Sequence, residues 1–141
     1  MHGNKKLAIV DTDAIIGTFN PTDIHHSSCT KIIKFITKNN FKLIITHATI
    51  LETATTLTRK LNKHKLAKQI LQIHSNHKNP KFNTNNILLK TSQIFNPTTS
   101  KKNTPFDHYI LAIAKINKIK YVLSFDSFYT KNNLTRLKNI I

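Results

Sequence analysis

One segment, residues 104–129, constrains the fold of this chain more than any other. Thr104 and Pro105 are typical of a helix start, because threonine caps free N–H groups and proline lacks an N–H that would be unpaired there. Asp107 falls in the first turn, where the helix dipole favours a negative charge. The apolar residues that follow recur at helical spacing, so we expect Asp107 to border the buried side of this helix.

A short strand follows this helix. Tyr121-Val-Leu123 is an apolar run of strand-forming residues, and it ends at Ser124 and Asp126. In a parallel α/β sheet, the carboxyl ends of the strands and the amino ends of helices meet at one edge, where such sheets place their sites. We therefore expect Asp107 and Asp126 to lie at the same edge.

The composition favours one small cytoplasmic domain, residues 1–141. A chain of 141 residues has room for one hydrophobic core. Its apolar runs are far shorter than the ~20 residues that span a bilayer, it begins without the apolar stretch of a signal peptide, and no amphipathic anchor supports a membrane partner. The single cysteine, Cys29, excludes an internal disulfide and a cysteine-based zinc site.

The charge is strongly positive. The chain has 22 Lys and Arg residues against 6 Asp and Glu residues, a formal net charge of +16. A surface this basic attracts polyanions, and nucleic acid is the commonest polyanion in a cytoplasm. A compositional bias towards lysine is the alternative, but it does not explain the scarcity of acids. The best local candidates for phosphate contacts are Arg59, Lys60, Lys63, Lys65 and Lys68.

The order of elements predicts an α/β sandwich with a mainly parallel central sheet. The chain has no glycine-rich phosphate loop, which argues against a nucleotide-cofactor fold. The tail, residues 134–141, is compatible with an edge strand or a helix. The other predicted elements are a strand at 5–11 with a short helix after it, a helix from 21 to 38, a strand at 42–46, two helices between 46 and 73, a strand at 87–90, a short helix and loop at 91–102, the helix from 104 and the strand at 121–123.

Acids stand at corresponding points of this arrangement. Asp11 and Asp126 end strands, Asp107 starts a helix, and Asp13 lies two residues beyond the first strand. Taken alone, Asp11 would more often cap the next helix than take part in catalysis. Carboxylates held close together resist ionising at the same time, however, so the cluster needs a counter-cation. Oxygen ligands with open positions suit Mg²⁺ or Mn²⁺, which would activate water against a phosphodiester.

Glu52, in the helix after the second strand, has structural explanations when it is taken alone. The sequence Thr49-Ile-Leu-Glu52 matches a capping box, in which Glu52 would serve the helix start. An exposed glutamate near Arg59 is also ordinary.

As an ordered set, four short motifs resemble the PIN-domain nucleases. The resemblance implies a three-layer α/β/α sandwich and an acidic tetrad, Asp11, Glu52, Asp107 and Asp126, that coordinates Mg²⁺ or Mn²⁺, with Ser124 as a supporting polar residue. Position 13 is more often a small polar residue in such proteins, so Asp13 is either an extra outer acid or a residue that shifts metal preference. The matching motifs are Ile9-Val-Asp11-Thr-Asp-Ala-Ile15, Glu52, Asp107-His-Tyr-Ile110-Leu-Ala112-Ile-Ala114 and Tyr121-Val-Leu-Ser124-Phe-Asp126-Ser-Phe-Tyr129.

Within that family, a compact chain of this length is most similar to the VapC-type toxins. The similarity implies an endoribonuclease that acts on RNA and is held inactive by an antitoxin protein, and we also expect a homodimer. The alternatives are a stand-alone PIN nuclease of RNA processing and a non-catalytic RNA-binding protein, although the presence of all four acids favours an enzyme. DNA cleavage also stays open, because metal-assisted hydrolysis does not itself need a 2′-hydroxyl.

Overall fold

The computed structural model describes residues 3–98 and 100–141. Four strands form one sheet, and each neighbouring pair in it is parallel. No helix within the described ranges has the length and hydrophobicity needed to cross a membrane. In chain order, the elements are β1 (Lys6–Val10), α1 (Thr12–Phe19), α2 (His26–Lys38), β2 (Phe41–Ile44), α3 (His47–Arg59), α4 (His64–His74), α5 (Thr84–Ile94), α6 (Pro105–Ile116), β3 (Tyr121–Leu123), α7 (Ser127–Lys131), β4 (Thr135–Arg136) and a 3₁₀ helix (Leu137–Asn139).

Helices cover both faces of the sheet, whose strand order is β2-β1-β3-β4. Side chains of β1 alternate between the faces, as they do along any strand. Ala8 and Val10 pack in a core with residues of α1, α2, α3 and α4, whereas Ile9 packs in a second core with residues of α5, α6 and α7. The predicted three-layer α/β/α sandwich with a parallel central sheet is therefore confirmed.

The carboxyl ends of β1 and β3 lie side by side. Val10 pairs with Leu123 in register, and the Asp11 N–H donates to the Leu123 carbonyl at 3.0 Å. This pairing continues the ladder one residue past β1, so Asp11 lies beside Ser124 at the edge where α1 and α7 begin. The fold therefore brings the segment of Asp11, after β1, next to the segment of Ser124 and Asp126, after β3.

The strand predicted at residues 87–90 is wrong, because these residues belong to the helix α5. Ile87 and Thr91 are buried and lie one helical turn apart, while the two leucines after Ile87 are exposed. An apolar run of three residues does not by itself distinguish a strand from a helix. Of the short helix and loop predicted at 91–102, the helix is the end of α5, at Ile94, and residue 99 lies outside the described residues.

Two other boundaries differ from the simplest expectation. The helix predicted from residue 21 begins only at His26, since Asp23 first accepts a hydrogen bond from the His25 N–H at 2.8 Å and closes a turn. The tail forms both of the elements left open: Thr135–Arg136 is an edge strand, and Leu137–Asn139 is a 3₁₀ helix.

A loop covers the outer side of β2, which is an edge strand of the sheet. The Asn79 side chain accepts from the Ile45 N–H at 3.0 Å and donates to the Ile45 carbonyl at 2.6 Å. Nε2 of His77 lies 3.2 Å from the Leu43 carbonyl oxygen. These side chains occupy backbone groups that another strand would otherwise pair with, and they protect the edge.

We expect Asn79→Ala to destabilise the protein by about 1–3 kcal/mol, because the N–H and carbonyl of Ile45 both lose their partner. Urea unfolding at constant pH measures the difference. Asn86→Ala, an exposed position on α5, is the matched control and should have little effect. Equal stability of the two variants would show that the side-chain cover of β2 contributes nothing.

Candidate active site

Asp11 links the ends of β1 and β3, the two central strands of the sheet. It caps α1, where its Oδ1 accepts from the Thr12 N–H at 2.8 Å, and its Oδ2 accepts from the Ser124 hydroxyl at 3.0 Å. The side chain is only 5% exposed. The capping role expected of an isolated Asp11 is therefore present, and the Ser124 contact adds a link to the end of β3.

Asp13 ties the same segments together from the first turn of α1. Its Oδ2 accepts from the Phe125 N–H at 2.8 Å and lies 3.2 Å from Oγ of Ser124. Its other oxygen, Oδ1, is buried and has no hydrogen-bond partner among the described residues. Burial, and then the charge of Asp11, raises the pKa of Asp13 to about 7. Asp13 therefore fixes the loop after β3 against α1.

Glu52 joins the site through a hydroxyl group. The capping box expected from Thr49 is wrong, because Thr46 is the N-cap of α3 and its side chain accepts from the Thr49 N–H at 3.2 Å. Oε2 of Glu52 instead accepts from the Thr12 hydroxyl at 2.9 Å. Burial raises the pKa of Glu52, and the charge of Asp11 adds to the rise. Thr12 thus links this helix to the segment that carries Asp11.

The two remaining acids lie at helix starts. Asp107 is in the first turn of α6, where its Oδ2 accepts from the Thr104 N–H at 2.8 Å. Asp126 caps α7 and accepts from the Phe128 N–H at 2.8 Å. The local sequence predicted both positions: Asp107 in the first turn of a helix that Thr104 precedes, and Asp126 just after the strand that ends at Leu123.

The structure brings all four acids of the expected tetrad within reach of one another's charge. Burial raises the pKa of Asp107 to about 7, and the charges of Asp11, Glu52 and Asp126 contribute to that rise. Burial also raises the pKa of Asp11, with a further contribution from Asp126. Hydrogen bonds place three of these acids together: Thr12 links Glu52 to the segment of Asp11, and the Ser124 hydroxyl donates to Asp11 and accepts from the Asp126 N–H at 3.1 Å. The charge interactions relate Asp107 to the same region at the carboxyl edge of the sheet.

The donor set suits a hard divalent cation. A nearby positive charge favours the ionised form of such carboxyl groups and lowers their pKa. Among the residues that the structure describes, no three His, Cys, Asp or Glu side chains are arranged to hold a metal ion directly. Mg²⁺ commonly binds through one or two carboxylates and keeps several waters, and this mode fits the acids as they lie. Their role as ligands stays a prediction.

Comparison with known proteins identifies the family of this chain. A family model described as the PIN domain matches residues 8–131. The chain belongs to the PIN-domain family. Comparison with curated proteins finds no match.

The fold of this PIN-domain protein is similar to that of Mycobacterium tuberculosis VapC20, described as a sarcin-ricin loop cleaving toxin. The two structures agree with a TM-score of 0.76, cover 92% of this chain and 97% of that chain, and share 14% sequence identity. At this identity, the likeness shows the fold.

Two residues of this PIN-domain site carry little signal in the sequence. Thr12 follows Asp11 directly, but only the folded chain shows that its hydroxyl reaches Glu52. Tyr129 is 0% exposed. Burial raises the pKa of Asp11, and the interaction of its carboxyl group with Tyr129 partly offsets that rise. The place of Tyr129 three residues after Asp126, on one side of α7, is the only sequence feature that relates it to the acids.

We expect Asp107→Asn to stabilise the protein at neutral and higher pH. The folded-state pKa of about 7 lies above the ordinary 3.8, so the folded protein binds this proton more tightly than the unfolded chain. Stability should therefore fall as pH rises from about 4 to about 7 in the parent protein. The variant loses this penalty and keeps an oxygen to accept from Thr104, so its gain above about pH 7 should be on the order of 1–4 kcal/mol.

Urea unfolding in EDTA across this pH range measures the effect of Asp107→Asn. Asp23→Asn, at an acid outside the site that accepts from the His25 N–H, is the matched control and should give no comparable pH-dependent gain. An Asp107→Asn protein that is less stable than the parent at every pH would contradict the electrostatic explanation.

Proposed function

We propose that this PIN-domain protein is a divalent-metal-dependent endoribonuclease that hydrolyses RNA phosphodiester bonds. The observation that carries the proposal is a gathering of acids in which burial, and then neighbouring charge, raises the pKa of Asp11, Glu52 and Asp107, in a chain with a formal net charge of +16. Such a cluster of buried like charges costs folding stability. A cation bound among the acids, acting on a polyanion, explains both features. The acids are Asp11, Glu52, Asp107 and Asp126.

The proposal assigns cation binding and catalysis to these four acids together. The Ser124 hydroxyl orients Asp11, and the Thr12 hydroxyl orients Glu52. Asp13 supports the site from outside by holding the loop that carries Ser124. Mg²⁺ or Mn²⁺ bound there would lower the pKa of a coordinated water and stabilise the leaving oxygen.

A basic groove beside Glu52 supports a nucleic-acid substrate. Burial raises the pKa of Glu52, and the charge of Lys60 partly offsets that rise, so the field of this lysine reaches Glu52. Thr55, Thr56, Arg59 and Lys60 line a surface groove of about 440 Å³ on this part of α3. Positions three and four residues after Glu52 lie on the same helix face. Phosphates that follow Arg59 and Lys60 would therefore lead towards the acidic site.

We further propose that the enzyme is the toxin of a type II toxin–antitoxin pair that acts on RNA in the cytoplasm. The similarity in fold to VapC20, described as a toxin, supports this role. The partners would be an antitoxin protein that covers the acids and a second copy of the chain. A short overlapping reading frame upstream, with a DNA-binding start, would support the toxin role; its absence would favour a stand-alone PIN nuclease of RNA processing.

The purified protein should cleave RNA when Mg²⁺ or Mn²⁺ is added and should stop when EDTA is present. Asp11→Asn and Asp107→Asn should each lower the cleavage rate at least about 100-fold, because outer-sphere partners of metals already contribute 10–100-fold. Gel analysis of a labelled RNA measures the rate, and circular dichroism checks that the variants fold.

Asp23→Asn is the matched control for cleavage, since it removes an acid that lies outside the site. It should retain the parent rate. Cleavage by Asp11→Asn and Asp107→Asn at the parent rate would contradict the assignment of these residues, and cleavage that is unaffected by EDTA would contradict the metal dependence.

The logarithm of the RNA association constant should fall linearly with the logarithm of salt concentration, as counterion release requires. Replacing both Arg59 and Lys60 with alanine should make this slope shallower by roughly 1–2 units, because each phosphate contact contributes about 0.7 for a single strand. Filter binding in EDTA measures affinity without cleavage. The control with equal charge loss replaces both Lys5 and Lys6 with alanine. Lys6 begins β1 and Lys5 precedes it, at the edge of the sheet opposite the acids. Equal slopes for both pairs would contradict a path along α3.

A further inference from the structure

Among the described residues, Tyr129 has the largest fully buried side chain, with 0% of its surface exposed. Its ring packs in the core formed with α5 and α6, and lies 5.2 Å from the ring of Phe128. Its carbonyl accepts from the N–H groups of Asn132 at 3.1 Å and Leu134 at 2.9 Å. The backbone that carries the ring is therefore firmly held.

The hydroxyl group of Tyr129 is not explained by packing. It is buried and has no hydrogen-bond partner among the residues that the structure describes. A buried polar group without a partner costs free energy, and a phenylalanine would fill the same volume without that cost. Phe128, the neighbouring aromatic residue, shows that the chain uses phenylalanine in this core. Packing therefore explains the ring of Tyr129 but not its hydroxyl group.

Asp11 is the group that the hydroxyl can serve. The two side chains interact closely enough to change the pKa of both. A carboxylate offers about four lone-pair positions. In Asp11, the Thr12 N–H uses one on Oδ1 and the Ser124 hydroxyl uses one on Oδ2. Each oxygen keeps one position, so the carboxylate has room for one more hydrogen bond and for one cation.

We propose that the Tyr129 hydroxyl is a positioning group: when a divalent cation binds at the acidic site, the hydroxyl donates a hydrogen bond to Asp11 and fixes the carboxylate so that its last free position faces the cation. The inference rests on the proposed function, because it needs a cation at the acidic site. It assigns to Tyr129 a role in cation affinity, while the fold without cation does not need the hydroxyl.

Mn²⁺ titration of the purified protein, followed by electron paramagnetic resonance of the free ion in the absence of RNA, tests the proposal. Tyr129→Phe should weaken Mn²⁺ binding by about 10–100-fold, as the loss of an outer-sphere partner does. In EDTA, its melting temperature should equal or exceed that of the parent, because the buried hydroxyl has been removed. Tyr121→Phe, at the opposite end of β3, is the matched control and should change neither property.

The outcomes separate this inference from the function on which it rests. If the parent binds Mn²⁺, Asp11→Asn does not and Tyr129→Phe binds as tightly as the parent, only the role of Tyr129 is overturned. A clear fall in the melting temperature of Tyr129→Phe in EDTA would also overturn it, since the hydroxyl would then support the fold without cation. A parent that does not bind Mn²⁺ would overturn the proposed metal dependence and the inference together.

Discussion

The parallel pairing of β1 with β3 is the constraint on which the rest of the site depends. Val10 lies opposite Leu123, so both strands end together and Asp11 lies beside Ser124. The helices that follow these strands begin at the same edge, and Asp126 caps the second of them. A register shift of one residue would turn the side chains to the opposite faces of the sheet and separate the acids.

Capping leaves lone pairs of these acids free, so it does not compete with the cation binding that we propose. Asp11, Asp107 and Asp126 each accept one backbone N–H at a helix start. Helix dipoles favour negative charge at these positions and partly offset the cost of burial. Burial, with a further contribution from the charges of Asp11, Glu52 and Asp126, still raises the pKa of Asp107 to about 7. A cation bound nearby would relieve this cost.

Features with local causes could be predicted from the sequence, whereas features with long-range causes could not. The start of α6 before Asp107 and the strand at 121–123 follow from neighbouring residues. The position of Glu52 depends on Thr12, 40 residues away, so the local sequence indicated a capping role, and only the resemblance to the PIN-domain nucleases grouped Glu52 with the other acids. The strand predicted at 87–90 failed for a different reason, because the short apolar run of α5 resembles a strand. The sequence signal for a helix there is Asn83, whose side chain accepts from an N–H of the first turn.

Anomalous scattering from crystals that contain Mn²⁺ tests the central claim most directly, because it locates the ion without reference to activity. The structure leads us to expect a peak at the carboxyl edge of the sheet, beside Asp11 and Asp107, and its loss in crystals of Asp11→Asn. A saturating concentration of Mn²⁺ that gives no peak at this edge, or a peak that survives in Asp11→Asn, would contradict the claim that these acids form a metal site.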